Sequence, residues 1–144
     1  MLMHLLLGLS TMTLCLLLQS LLLVMDVRYY QANESRVRGE SLGAKLIVLN
    51  GVMLILVAGN LAQVGIWALL FLFLGEFSEF GTAFYHSAVN FATLGYGDIV
   101  MSEQYRLLGP LQAINGVLMI GLSTAVLMAT VQDILRKTID VPGL

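Results

Sequence analysis

The sequence predicts an all-α membrane protein in which three helices cross a bilayer and a fourth, shorter helix enters it and returns. Of its 144 residues, 58% are apolar and only 11% are charged, which leaves too little polar surface for a soluble domain of this size. The apolar residues also gather in three runs long enough to span hydrocarbon, and in one run that is too short.

The first apolar run predicts a transmembrane helix over residues 1–25. It lacks a basic start and a small-residue cleavage site, so we expect a retained helix rather than a signal peptide. A polar connection, residues 26–44, follows it. Several polar side chains in the run are expected to face other helices rather than lipid; they are Ser10, Thr11, Thr13, Gln19 and Ser20.

The second span is predicted over residues 45–74, which is longer than a bilayer requires and indicates tilt or extension at one end. Trp67, Phe71 and Phe73 are expected to place its far end in the interfacial aromatic belt. A polar break precedes the short helix, residues 80–92. At 1.5 Å per residue this helix reaches only about 20 Å, so it must enter the bilayer and return.

The third span is predicted over residues 107–131, with Pro110 in its first turn. Residues 132–144 are expected to form a short tail. Gly116 and Gly121 are candidate hinges within this span, and close helix packing is the alternative for each. We favour packing at Gly116 and a hinge at Gly121.

The basic residues predict the orientation. All but one flank the first connection or follow the third span, so the positive-inside rule places the N-terminus outside and the C-terminus in the cytoplasm of a cell (inner) membrane. Arg106 is the exception. Four acidic residues then border the outer surface, where they would concentrate cations; these are Glu76, Glu79, Asp98 and Glu103.

The segment between the short helix and the third span reads Thr-Leu-Gly-Tyr-Gly-Asp, residues 93–98. Irregular backbone at membrane depth is tolerated where its polar groups line a watery or ion-filled path. Gly95 and Gly97 permit positive φ, so successive carbonyls can point to one side, as ligands for a dehydrated cation. The segment resembles the selectivity filter of potassium channels. It differs from the commonest form at Leu94, where Val is usual.

This resemblance extends over residues 45–131 as a pore domain of outer helix, pore helix, filter and inner helix. It implies a homotetramer in a lipid bilayer, with K+ as the permeant ion and no cofactor. Within the filter, the implied K+ ligands are the carbonyls of four residues and the hydroxyl of the first, while Gly97 supports the outer turn. The four residues are Thr93, Leu94, Gly95 and Tyr96.

Two positions depart from common patterns in that family. Ala92, which would face the cavity, stands where a second threonine is often found. Val89 stands where some relatives carry a glutamate that braces the outer aspartate. Asp98 therefore needs another partner, either Tyr85 or water, or remains ionised at the outer mouth.

Two further polar residues have alternative interpretations. His86, on the short helix, is a candidate external pH sensor because imidazole titrates near physiological pH; the alternative is a packed residue hydrogen-bonded to its neighbours. Asn115, on the third span, either faces the ion path or bridges helices.

The sequence therefore predicts a passive potassium-selective channel. The alternatives are the conducting subunit of a potassium uptake transporter, a weakly selective cation channel and a non-conducting scaffold. No nucleophile–base pair or metal cluster suggests an enzyme, and no basic cluster suggests nucleic acid. The first span lacks the repeated arginines of a voltage sensor. The sequence does not identify the gating stimulus or a separate regulatory partner.

Overall fold

The computed structural model describes residues 2–39 and 41–139. Within them it contains helices and no strand: α1 (Leu2–Ala32), α2 (Glu34–Arg38), α3 (Leu42–Phe73), α4 (Phe80–Phe91) and α5 (Leu108–Ile139). Three of these, α1, α3 and α5, are long and apolar enough to cross a membrane. The predicted all-α class with three membrane-length helices is confirmed, and the protein is an integral membrane protein. The end of the predicted tail, residues 140–144, lies outside the described residues.

Helices α1 and α5 continue past the apolar runs that the sequence analysis used to bound them. Most of the segment predicted as a loop, residues 26–44, is helical, because α1 runs to Ala32 and α2 follows directly. A small apolar cluster supports these extensions. In this cluster, Val37, Val48 and Ile134 are buried against one another and against two tyrosines of α1. Packing between helix ends therefore prolongs them beyond the length that hydrocarbon alone would require.

The bundle places α4 and α1 on different sides of the α3–α5 pair. Each of them contacts both α3 and α5. The core between α1, α3 and α5 contains Cys15, Trp67, Phe71 and Leu108, none of which is accessible to solvent. The expectation of an interfacial aromatic belt was therefore wrong for Trp67 and Phe71, whose rings fill the core, while Phe73 is exposed.

A chain of side-chain hydrogen bonds connects the three long helices within their apolar length. The side-chain amide nitrogen of Gln63 on α3 donates to the side-chain amide oxygen, Oε1, of Gln19 on α1 at 2.8 Å. Gln19 in turn donates to the Ser123 hydroxyl on α5 at 3.3 Å, and Asn60 on α3 approaches the same hydroxyl at 3.4 Å. Amides in hydrocarbon have no water to bond with, so they bond across helices.

Only part of the polar set in the first span faces other helices as predicted. Thr11 and Gln19 are buried. The other members are exposed, and their hydroxyls donate to carbonyls of their own helix one turn earlier, which satisfies them without a neighbour; they are Ser10, Thr13 and Ser20.

Candidate functional site

The segment 93–98 begins partway down the bundle, where α4 ends against α5. A Cβ added at Gly116 would lie 2.0 Å from the carbonyl oxygen of Phe91, the last residue of α4. Gly116 lies roughly 12 Å along α5 from Leu108, at 1.5 Å per residue. Helix α4 therefore ends about two turns of α5 beyond Leu108, the first residue of that helix.

The contact with Phe91 distinguishes the two candidate hinges, Gly116 and Gly121. The backbone of α4 leaves no room for a side chain at Gly116, whereas nothing lies within 4 Å of a Cβ placed at Gly121. The geometry favours close packing at Gly116. A hinge at Gly121 stays a prediction.

Helix α3 ends in a motif that explains how α4 ends. The N–H of Gly75 donates to the Leu72 carbonyl at 2.9 Å, and the N–H of Glu76 donates to the Phe71 carbonyl at 3.0 Å. Gly75 has φ of +74°. This pair of bonds around a left-handed residue is the Schellman motif, which most often places glycine at the left-handed position.

Helix α4 ends in the same motif with a threonine in glycine's place. The N–H of Thr93 donates to the Asn90 carbonyl and the N–H of Leu94 to the Val89 carbonyl, both at 2.9 Å. Thr93 has φ of +57°. A β-branched residue is a genuine outlier in this region, at a cost of about 1–2 kcal/mol. The helix end thus directs the chain into the segment through a strained threonine.

Positive φ recurs at every second residue of the segment. It is found at Thr93, Gly95 and Gly97, with values of 57°, 58° and 74°, but at neither Leu94 nor Tyr96. In an ordinary extended strand, successive peptide groups point to opposite sides. Alternating the sign of φ turns every second peptide, so that consecutive backbone groups of one kind can face the same side. This backbone is suited to presenting a row of carbonyls to one cation.

The outer end of the segment is braced by α4. The Tyr85 hydroxyl donates to a carboxylate oxygen of Asp98 at 2.7 Å, and this bond is the main reason that the pKa of Asp98 is lowered. Of the partners considered for Asp98, Tyr85 is therefore the one confirmed.

Two more of the predicted outer acids, Glu76 and Glu79, have different surroundings. Both carboxylate oxygens of Glu76 accept bonds from Ser102, one from its N–H at 2.8 Å and one from its hydroxyl at 2.6 Å. Glu76 thereby ties the end of α3 to the turn that leads to α5. Glu79 precedes α4 and is exposed, and its side chain does not cap the helix.

His86 lies behind the segment with both ring nitrogens engaged. Nδ1 lies 3.0 Å from the Ile99 carbonyl oxygen, and Nε2 lies 2.9 Å from the amide nitrogen of Asn90. A carbonyl accepts and an amide nitrogen donates, so the arrangement suits a neutral ring protonated at Nδ1. The ring also packs edge-on against Phe71.

Burial lowers the pKa of His86, and this outweighs the opposing effects of the Ile99 carbonyl and of Asp98 and Glu76. A second proton on Nε2 would face the Asn90 amide hydrogens. The geometry therefore favours the packed, hydrogen-bonded alternative over the external pH sensor.

Comparison with known proteins identifies the family to which the chain belongs. A family model described as an ion channel matches residues 60–133, just over half of the chain. The chain belongs to this ion channel family. The matched region contains the end of α3, all of α4, the segment 93–98 and most of α5. The match supports a potassium channel pore family, whose members conduct ions and are not enzymes. No curated protein and no solved structure matches the channel.

Sequence reasoning missed two polar residues that hold the channel's α4 in place. The Ser87 hydroxyl donates to the Val64 carbonyl of α3 at 2.7 Å. Gln112 of α5 donates to the Ser87 carbonyl at 3.0 Å. Both side chains are fully buried. A glutamine within an apolar span was the available signal, because such residues face the bundle interior.

Asn115 follows the same rule. It is fully buried in the channel protomer, so it lies towards the other helices and away from the exposed face of α5. The alternative in which it faces the ion path is not favoured by this position.

The segment 93–98 and one face of α5 are not covered by other described parts of the chain. Residues 92–98 are all exposed, including the cavity candidate Ala92. The exposed α5 face follows helical spacing and is largely apolar; it includes Ile114, Val117, Leu118, Gly121 and Met128.

Proposed function

We propose that this channel is potassium-selective and conducts passively, with residues 93–97 forming its ion sites. The observation that carries the proposal is the positive φ at every second residue from Thr93 to Gly97. A dehydrated K+ ion needs its water replaced by a cage of oxygens, and rows of backbone carbonyls supply one. Thr93 would add its hydroxyl to the innermost site.

We propose further that four copies surround one axis. A single segment presents carbonyls to only one side of an ion. The exposed backbone of residues 92–98 cannot face lipid, because hydrocarbon offers it no hydrogen-bond partner. Copies arranged about a shared axis would cover this backbone and line the path with the exposed face of α5.

The pore helix adds electrostatic support for cations. Its C-terminal end leads directly into Thr93, so its macrodipole places partial negative charge beside Ala92 and the inner end of the segment. Four such helix ends would favour a cation in the cavity, where it is least hydrated.

The proposed orientation has the N-terminus outside and the C-terminus in the cytoplasm. Lys137 of α5 lies 3.1 Å from the Glu34 carboxylate of α2, and Lys45 of α3 donates to Thr138 of α5 at 2.8 Å. These contacts gather the basic segments at one end of the bundle, and Arg106 lies near the other. The positive-inside rule assigns the basic end to the cytoplasm.

Reversal potentials test the ion choice. The purified full chain would be reconstituted in planar bilayers between two solutions that contain potassium and sodium in opposite ratios. We expect reversal near the potassium equilibrium potential, whereas reversal near zero would defeat the claim of selectivity. Currents from the chain alone would also exclude a transporter subunit that needs partners, and the mass of the solubilised complex should correspond to four copies.

A matched pair of glycine variants tests the assignment of the filter. Gly75 and Gly97 both have φ of +74° and no neighbour within 4 Å of an added Cβ, so alanine strains both positions equally within the chain. Gly97→Ala should abolish conduction while assembly persists. Gly75→Ala, at the end of α3, should keep conduction. Equal currents from the two variants would refute the assignment.

A further inference from the structure

A cleft of about 430 Å³ lies between α1 and α5, at the opposite end of the bundle from the conducting segment. It is separate from every site described above. Its walls combine an apolar patch with charged groups; the residues that matter are Asp26, Val27, Val126, Ala129, Asp133 and Lys137.

Asp26 is the unusual member of this lining. Its side chain is only 2% exposed, and neither carboxylate oxygen has a hydrogen-bond partner among the described residues. It belongs to the membrane-length stretch of α1. An unpaired carboxylate withdrawn from water is costly unless a cation or a proton compensates it.

The basic residue of the cleft does not supply that compensation. The Lys137 ammonium lies 2.6 Å from Asp133 and 3.1 Å from Glu34, and it stands over the ring of Tyr30. Three carboxylates line the cleft against this one ammonium. Asp26 therefore lies in the wall of a cleft whose carboxylates outnumber its ammonium, and its own carboxylate has no hydrogen-bond partner among the described residues.

The chemistry of the walls selects the kind of cation. Calcium takes six to eight oxygen ligands, and no group of three His, Cys, Asp or Glu among the described residues is placed to hold a metal ion. An ammonium needs only three acceptors. Its hydrocarbon would pack against Val27, Val126 and Ala129.

We propose that this cleft binds a primary ammonium group carried on a short apolar chain, with Asp26 as its counter-ion. Two sources share this chemistry, namely a soluble alkylamine and the headgroup of phosphatidylethanolamine. Bound there, the ammonium would bridge α1 to α5.

Calorimetric titration of the full chain in phosphatidylcholine nanodiscs tests the proposal, with n-butylammonium as the probe. We expect one saturable site per chain and no binding of tetramethylammonium, which has no N–H to donate. Asp26→Asn should weaken butylammonium binding about tenfold or more, since the ammonium then meets a neutral amide oxygen in place of a carboxylate. The charge-matched control Glu103→Gln, at the other end of the bundle, should bind as the wild type does.

Phosphatidylethanolamine nanodiscs distinguish the sources. Weaker apparent binding of butylammonium there would identify the headgroup as the occupant, and equal binding in the two lipids would identify a soluble amine. Ala129→Phe fills the apolar part of the cleft and leaves the carboxylate intact, so it should abolish binding even if Asp26→Asn fails to fold. Absence of saturable binding in phosphatidylcholine, or unchanged affinity in either variant, would overturn the proposal.

Discussion

Replacing Thr93 by glycine should make the protein more stable while making it a worse channel. The left-handed conformation costs a residue with a Cβ about 1–2 kcal/mol, and glycine is free of this cost. Glycine's greater freedom in the unfolded chain opposes the gain by roughly 0.5–1 kcal/mol. Thr93 is exposed in the protomer, so little packing is lost. The expected net gain lies between about 0 and about 1.5 kcal/mol per chain.

Urea unfolding in detergent micelles measures this gain, and Gly75→Ala supplies the control. Gly75 occupies the equivalent position in the same motif at the end of α3, so Gly75→Ala should have the opposite effect and destabilise the protein by up to about 1.5 kcal/mol. The comparison isolates backbone strain, because both substitutions act at left-handed residues that close a helix.

The functional readout should change in the opposite direction. Thr93→Gly removes the hydroxyl that we assign to the innermost ion site, so potassium selectivity should fall, whereas Thr93→Ser should keep it. Glycine would be less strained than threonine at this position. A strained residue is expected there when its side chain serves the function of the protein. A stabilised glycine variant with unchanged selectivity would refute this reasoning, and a variant destabilised by more than about 1 kcal/mol would show a structural role for the hydroxyl.

Three other predictions follow from the site. Gly116→Ala should destabilise the protein by about 1–3 kcal/mol through overpacking against α4, while Gly121→Ala should not; equal unfolding midpoints for the two would contradict the packing assignment. Tyr85→Phe removes the hydrogen bond that lowers the pKa of Asp98, so Asp98 should become protonated at a higher pH in the variant than in the wild type; an unchanged Asp98 titration, followed by carboxyl NMR or by the pH dependence of current, would contradict the brace. Because burial lowers the pKa of His86, the folded state binds that proton less readily than the unfolded chain, so stability should be complete above pH 6.5 and fall on acidification. Melting curves of His86→Gln should lose this dependence, and an identical pH profile would count against it.

Much of the fold could be predicted because hydrocarbon imposes simple rules on length and composition. The length of the short helix indicated that it enters the bilayer and returns, and the glycines of residues 93–98 indicated an unusual backbone. The ends of α1 and α5 could not be predicted, since Val37 and Ile134 prolong these helices through contacts that composition does not reveal. Trp67 was misplaced for a similar reason, because a bulky aromatic near the end of a span suits either the interface or the core.

The least predictable feature of the site is the conformation of Thr93. A glycine in a sequence is a signal for positive φ, whereas a threonine is not. The left-handed turn arises from the Schellman bonds that Thr93 and Leu94 make to α4. Ser87 and Gln112 were overlooked because the hydrogen bonds that join them connect helices far apart in sequence.

Helix α1 is joined to α5 by the same kind of hydrogen bond. Ser123, which receives hydrogen bonds from Gln19 of α1 and Asn60 of α3, lies two residues beyond the candidate hinge at Gly121. Any bend there must break these bonds or carry α1 and α3 with the lower half of α5. Interhelical hydrogen bonds in membranes contribute roughly 0.6 kcal/mol each on average, so the two together amount to about one kcal/mol per chain. Such a link biases the position of α5 without locking it.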